Sequence, residues 1–142
     1  MSPCSLSFVL RQPDDGDGLA RFEAIVESDS FAGKIQFWGY AEQFDELAEK
    51  LKGFPASPES RVEHALGSPG VGLCEMKFEC IDGVGHVAVW AELEAEHPVF
   101  PSNEYQKSKQ CILVDPASVD QFYVELKGLG SGSEIRASLY GK

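Results

Sequence analysis

Two short amphipathic stretches constrain this chain most. "EQFDELAEKLKGFP", from Glu42 to Pro55, and "ASVDQFYVELKGLG", from Ala117 to Gly130, share the ending Leu-Lys-Gly followed by an apolar residue. In the first, Phe44, Leu47, Ala48 and Leu51 have the i, i+3, i+4, i+7 spacing of a helix with one buried face, and charged residues fill the rest. Gly53 makes a C-terminal stop, with Pro55 beyond it. In the second, Asp115 caps the helix and Pro116 fits its first position, while Val119, Phe122, Tyr123 and Leu126 form the buried stripe and Gly128 ends it. One helix stop used twice implies one supersecondary unit used twice.

The neighbouring matches keep the same order. "KIQFWGYAEQFDELAEKLKG" lies beside "KQCILVDPASVDQFYVELKG" without a gap, so that Lys34 falls on Lys109, Leu51 on Leu126 and Gly53 on Gly128. Upstream, "CSLSF" at Cys4–Phe8 matches "CEMKF" at Cys74–Phe78. Two β-β-β-α units over about 4–53 and 74–128 are expected.

Period-two alternation marks the strands. "CEMKFEC" sets Cys74, Met76, Phe78 and Cys80 on one face, with Glu75, Lys77 and Glu79 on the other. "HVAVWAELEAE" sets Val87, Val89, Ala91, Leu93 and Ala95 against Ala88, Trp90, Glu92, Glu94 and Glu96. Asp82-Gly83 between them signals a hairpin. "LSFVL" and "ARFEAIVES" pair similarly across "PDDGDG", and "FAGKIQFW" and "KQCILV" supply the third strands. The Pro-, Ser- and Gly-rich segment 54–72 reads as a connecting loop with room for one helical turn around Val62–Leu66, and His97–Lys109 as a second long loop. The C-terminal extension, 130–142, offers "SEIRASLY" as a seventh strand. The expected architecture is a single α+β domain over 1–142. It would be two-layered, with a six- to seven-stranded, mainly antiparallel sheet, both helices on one face and the other face toward solvent.

Charge narrows the partners. With 23 acidic against 12 basic residues the formal net charge is −11, a surface that repels phosphate backbones and anionic lipid and steers basic partners toward itself. A basic protein partner is expected, and neither nucleic acid nor membrane. "MSPCSLSFVLRQPDD" lacks the basic and apolar regions of a signal peptide. The four cysteines, Cys4, Cys74, Cys80 and Cys111, form no Cys-x-x-Cys pair. The cytoplasm and reduced thiols are therefore expected, with Cys74 and Cys80 buried.

No catalytic motif emerges. His64, His86 and His97 have no spacing that aims two imidazoles at one metal. "DDGDG" at Asp14–Gly18 fails as a calcium loop, because the twelfth position from Asp15 is Val26 instead of a bidentate glutamate. No phosphate-binding glycine loop or nucleophile elbow occurs. No catalytic, cofactor or metal residue is assigned. One constellation stands out: Trp90 on the expected solvent face among Glu75, Glu79, Glu92 and Glu94, an aromatic anchor ringed by charges that would steer a basic partner, the alternative being that Trp90 lies under the tail or a long loop and is core. The expected function is non-enzymatic binding of such a partner. The competing classes are an enzyme or small-ligand site using His86 or His97 with a carboxylate in a crevice between the repeats, and an adaptor or subunit that dimerises through its sheet.

"QFDELAEKLKGF", a variable connection, an acidic strand pair and then "GHVAVWAEL" together resemble a family of small, acidic, uncharacterised bacterial proteins. In these a helix with an F-x-x-L-x-x-L-x-G-like ending precedes a strand starting Gly-His-Val, here Gly85-His86-Val87. Some relatives resemble immunity proteins encoded beside polymorphic toxins, so the resemblance implies toxin neutralisation without a settled activity.

Overall fold

A computed structural model describes residues 4–97 and 106–142. The element order is β1 (Ser5–Gln12), β2 (Leu19–Glu27), β3 (Ala32–Tyr40), α1 (Glu42–Leu51), β4 (Arg61–Gly67), β5 (Leu73–Cys80), β6 (Val87–Glu94), β7 (Lys107–Val114), α2 (Pro116–Ser131) and β8 (Arg136–Tyr140). The chain is α+β, but the strands form two four-stranded antiparallel sheets, β3-β2-β1-β8 and β4-β5-β6-β7, instead of one sheet of six or seven. Alternation fixes which face a residue occupies and leaves its neighbouring strand open, so the single sheet was the wrong assembly of correctly oriented strands.

The element order reads β-β-β-α-β twice, and the last strand of each half leaves its own sheet. β4, which follows α1, pairs with β5; β8, which follows α2, pairs with β1. The two departures share a register. Arg61 faces Glu79 and Arg136 faces Val9. Leu66 faces Cys74, and the Gly141 N–H donates to the Cys4 carbonyl at 2.8 Å.

Strand β4 lies in the segment expected to be a connecting loop. His64 disguises it: the inward positions are Val62, His64 and Leu66, and a histidine breaks the apolar alternation. The hairpin after β5 is also wider than Asp82-Gly83. It spans Ile81 to His86, and the glycine at positive φ is Gly85 (90°). Helix α1 stops before Gly53, whose φ is 72°. Helix α2 runs past Gly128 to Ser131, where Gly132 at φ 82° caps it. The difference lies in the next apolar residue. Leu129 continues the buried stripe of α2 by one turn, whereas Phe54 reaches the core from outside α1.

The gapless match between the third strands is also two residues out of step. Phe8 faces Ala24, which faces Ile35; Phe78 faces Val89, which faces Ile112. Ile35 therefore corresponds to Ile112, whereas the gapless match set it on Gln110. Both alignments keep the same face, so alternation cannot separate them.

One core joins both sheets and both helices. Phe44 of α1 meets Phe8 and Phe22 at ring separations of 5.5 and 4.6 Å, and Phe8 stacks on Phe122 of α2 at 6.3 Å. Phe54 brings in the second sheet through Phe78 at 6.3 Å. At the sheet junction, β3 passes close to β7. The buried Gln110 amide spans it in the orientation that satisfies both ends: its nitrogen donates to the Phe31 carbonyl (2.8 Å) and its oxygen accepts from the Gly33 N–H (3.1 Å). The expected loop from His97 to Lys109 lies mostly outside the described residues, and β7 begins at Lys107.

Candidate functional site

The outer face of the second sheet is a grid set by strand register. One row runs Ala65, Glu75, Glu92, Lys109; the next Glu63, Lys77, Trp90, Cys111; the third Arg61, Glu79, Ala88, Leu113. Trp90 is 37% exposed, so its ring belongs to the surface and not to the core. It borders an open groove of about 460 Å³ lined also by Glu63, Glu75, Glu92, Lys50, Lys77 and Lys109.

Of the glutamates expected around Trp90, Glu75, Glu79 and Glu92 share this face, and Glu79 lies a row beyond the groove. Glu94 does not present itself to solvent. It is only 9% exposed at the strand end, with the Lys107 ammonium 3.7 Å away. Period two predicts the face, but the last position of β6 is buried. Sequence reasoning also missed Glu63, since β4 was not recognised, and missed how lysines interleave with the carboxylates. The alternation Arg61, Glu63, Ala65 was the available signal.

The cations of the face are unevenly engaged. Lys77 pairs with Glu79 at 2.8 Å and holds that carboxyl below its usual range. Lys50 donates to the Glu63 carbonyl at 2.8 Å and meets His64 Nδ1 at 3.1 Å. Lys109 places its ammonium 5.4 Å from the Trp90 ring centre. Glu92 has the Lys107 ammonium at 4.0 Å, while Glu63 and Glu75 have no cationic partner within that range among the described residues. Glu75 stands directly opposite Glu92, a like-charge pairing that disfavours the sheet.

A second polar cluster sits where the β5–β6 connection meets α2. Asp82 accepts the backbone N–H groups of Val84 and His86 through Oδ1, at 3.0 and 3.1 Å, and its Oδ2 lies 2.5 Å from His86 Nδ1. The His86 contact is the main reason the Asp82 carboxyl titrates below its usual range. Asp82 thus orients the imidazole as a carboxylate orients a general base. The other nitrogen, however, is met by the Lys142 ammonium at 2.9 Å, with Asp115 Oδ1 at 3.6 Å. Lys142 also reaches Asp115 at 3.4 Å. Asp115 therefore directs its carboxylate to this cluster instead of capping α2. The arrangement ties Lys142 to the hairpin and gives both imidazole nitrogens a partner.

His64 is buried, His97 donates its backbone N–H to the Gly70 carbonyl at 2.9 Å, and the structure brings neither together with His86. In the acidic turn, Asp14 accepts the Gly16 N–H and Asp17 the Leu19 N–H, both local turn bonds. No cluster of three His, Cys, Asp or Glu among the described residues is arranged to hold a metal, and no helix among them is long and apolar enough to cross a membrane. Comparison with known proteins finds no match: no family model, no curated protein and no solved structure is similar to this chain.

Proposed function

We propose that this protein is a non-enzymatic binding protein for a basic protein partner, docked on the outer face of the second sheet. The observation that carries the reading is Trp90: an exposed ring beside a groove whose Glu63 and Glu75 carboxylates lack cationic partners among the described residues. An aromatic anchor supplies contact area and slow dissociation, and unpaired carboxylates supply steering and register. The net charge of −11 extends that steering over the whole molecule. Neutralisation of a toxin, as the resemblance implies, is one form such binding would take, and the reduced cytosol is where we propose it acts.

The test is capture from extracts of the native host, with the wild-type protein compared with Trp90→Ala and with a Glu75→Lys, Glu92→Lys double variant. A specific basic protein should be held by the wild type at low salt, released at high salt, and lost from both variants. Capture of the same proteins by all three would sink the reading.

We further read the two halves as copies of one β-β-β-α-β unit that exchange their last strands. The shared register of Arg61 and Arg136 supports this.

A further inference from the structure

On the outer face of the first sheet the chain builds a cation seat. Arg21 lies over Trp38, its guanidinium carbon 5.1 Å from the ring centre. Its Nε donates to Gln36 Oε1 at 2.7 Å, and its Nη2 pairs with the Glu96 carboxylate. A guanidinium suits such a seat because it is flat enough to stack and carries a rigid fork of donors for neighbouring oxygens.

The second sheet repeats the ring and the carboxylates of this seat without its arginine. Trp90 offers its ring, and Glu75 and Glu92 stand opposed in the next row. Among the described residues no arginine lies over it. The cation there is Lys109, which touches the ring at 5.4 Å and makes no ion pair among the described residues. An ammonium is a point charge and cannot stack on a ring while forking to a carboxylate.

Resting on the docking surface proposed above, the geometry points to an arginine side chain of the partner as the group received by Trp90, with Lys109 as the chain's own stand-in. The arriving guanidinium stacks on the indole and pairs with Glu75. Lys109 then moves to Glu92, its direct cross-strand neighbour. Each opposed carboxylate thereby gains one cation, which relieves the like-charge pairing. Lys109 competes with the partner in the free protein.

The test uses the full chain carrying Trp38→Phe, so that Trp90 is the only indole reporter. Fluorescence is titrated at low salt with capped Gly-Arg-Gly, Gly-Lys-Gly and Gly-citrulline-Gly. The arginine peptide should give a saturable change, the lysine peptide should bind several-fold more weakly, and the uncharged citrulline peptide should not bind. Glu75→Gln should weaken the arginine peptide several-fold, and Lys109→Ala should tighten it several-fold. Lys109→Gln, which keeps the length of the side chain, should tighten it likewise and guards against a folding defect in the alanine variant. No saturable response to arginine, equal binding of lysine or citrulline, or weaker binding by both Lys109 variants would each overturn the assignment. If host-protein capture still depends on Trp90 and on Glu75 and Glu92, only the arginine assignment falls; if capture fails too, the docking surface falls with it.

Discussion

The Nδ1 of His64 lies 3.1 Å from the ammonium of Lys50, while its Nε2 lies 2.9 Å from the Gln43 carbonyl. The imidazole is neutral in this setting: Nε2–H donates to the carbonyl and Nδ1 accepts from lysine. Burial first, and the Lys50 charge second, hold its pKa below the ordinary value, against smaller opposing effects from the Gln43 carbonyl and Glu46. The unfolded chain takes up a proton near pH 6.5 that the folded chain refuses until lower pH. Stability should therefore be retained above about pH 6.5 and fall as the pH drops below it. Denaturant midpoints measured from about pH 8 to pH 5 should show this slope in the wild type and a shallower one in His64→Gln. Identical slopes would assign the loss to other groups.

Cys74 is fully buried, and burial, aided by the Glu75 charge, pushes its thiol up to about 12. All four thiols are free, but Cys80, expected to share that burial, is only half-buried at the end of β5. Native protein treated with a thiol reagent should label Cys80 well before Cys74, and Cys74 only as fast as the chain opens. Mass spectrometry of timed samples reads this directly. Early labelling of Cys74 would mean that the inner face of β5 opens without global unfolding.

Gly72 has a φ of 96°, and a Cβ there would lie 2.3 Å from the Gln36 carbonyl oxygen and 2.7 Å from Phe37 Cβ. Strain and backbone collision add, so Gly72→Ala should cost more than about 3 kcal/mol. Gly16 has a φ of 123° with nothing within 4 Å of its Cβ position. Gly16→Ala should cost only the strain, about 1–3 kcal/mol. Thermal unfolding of both variants separates the two contributions, and equal losses would deny the contact between β3 and the β4–β5 turn.

Trp90→Ala should lower stability by about 1–2 kcal/mol, less than a core aromatic, because over a third of the residue is exposed. Phe44→Ala, with its ring against Phe8 and Phe22, should cost about 3–5 kcal/mol. Chemical denaturation compares them. In a complex with the captured partner, Trp90→Ala should speed dissociation, whereas Glu75→Lys should slow association in a salt-dependent way. Core-like destabilisation by Trp90→Ala would remove the anchor from the surface.

Gln110→Ala should cost about 1–3 kcal/mol, since it leaves the Phe31 carbonyl and the Gly33 N–H without their shared partner at the junction of the sheets. Its unfolding midpoint should fall accordingly, and an unchanged midpoint would show that water replaces the amide.

The sequence by itself determined the two helices and six of the eight strands with their inward faces, and it offered β8 as a seventh. These are local properties: Phe44, Leu47 and Leu51 share a helix face by their spacing, and Trp90 points away from Val89 by the pleat of a strand. It likewise set Trp90 beside carboxylates, because neighbours two apart on one strand share a face. Only the tertiary structure decided which strand lies beside which. β4 pairs with β5 and β8 with β1, and no local pattern in Arg61–Gly67 or Arg136–Tyr140 encodes those pairings, since an inward-facing strand buries its apolar side equally well in either sheet. The site followed the same division. Glu63 joined the groove through the pairing of β4 with β5, and Glu94 left the exposed set because its position at the end of β6 is buried. Lys109 came to lie over Trp90 through the register of β7 against β6, which depends on pairing between residues distant in the chain.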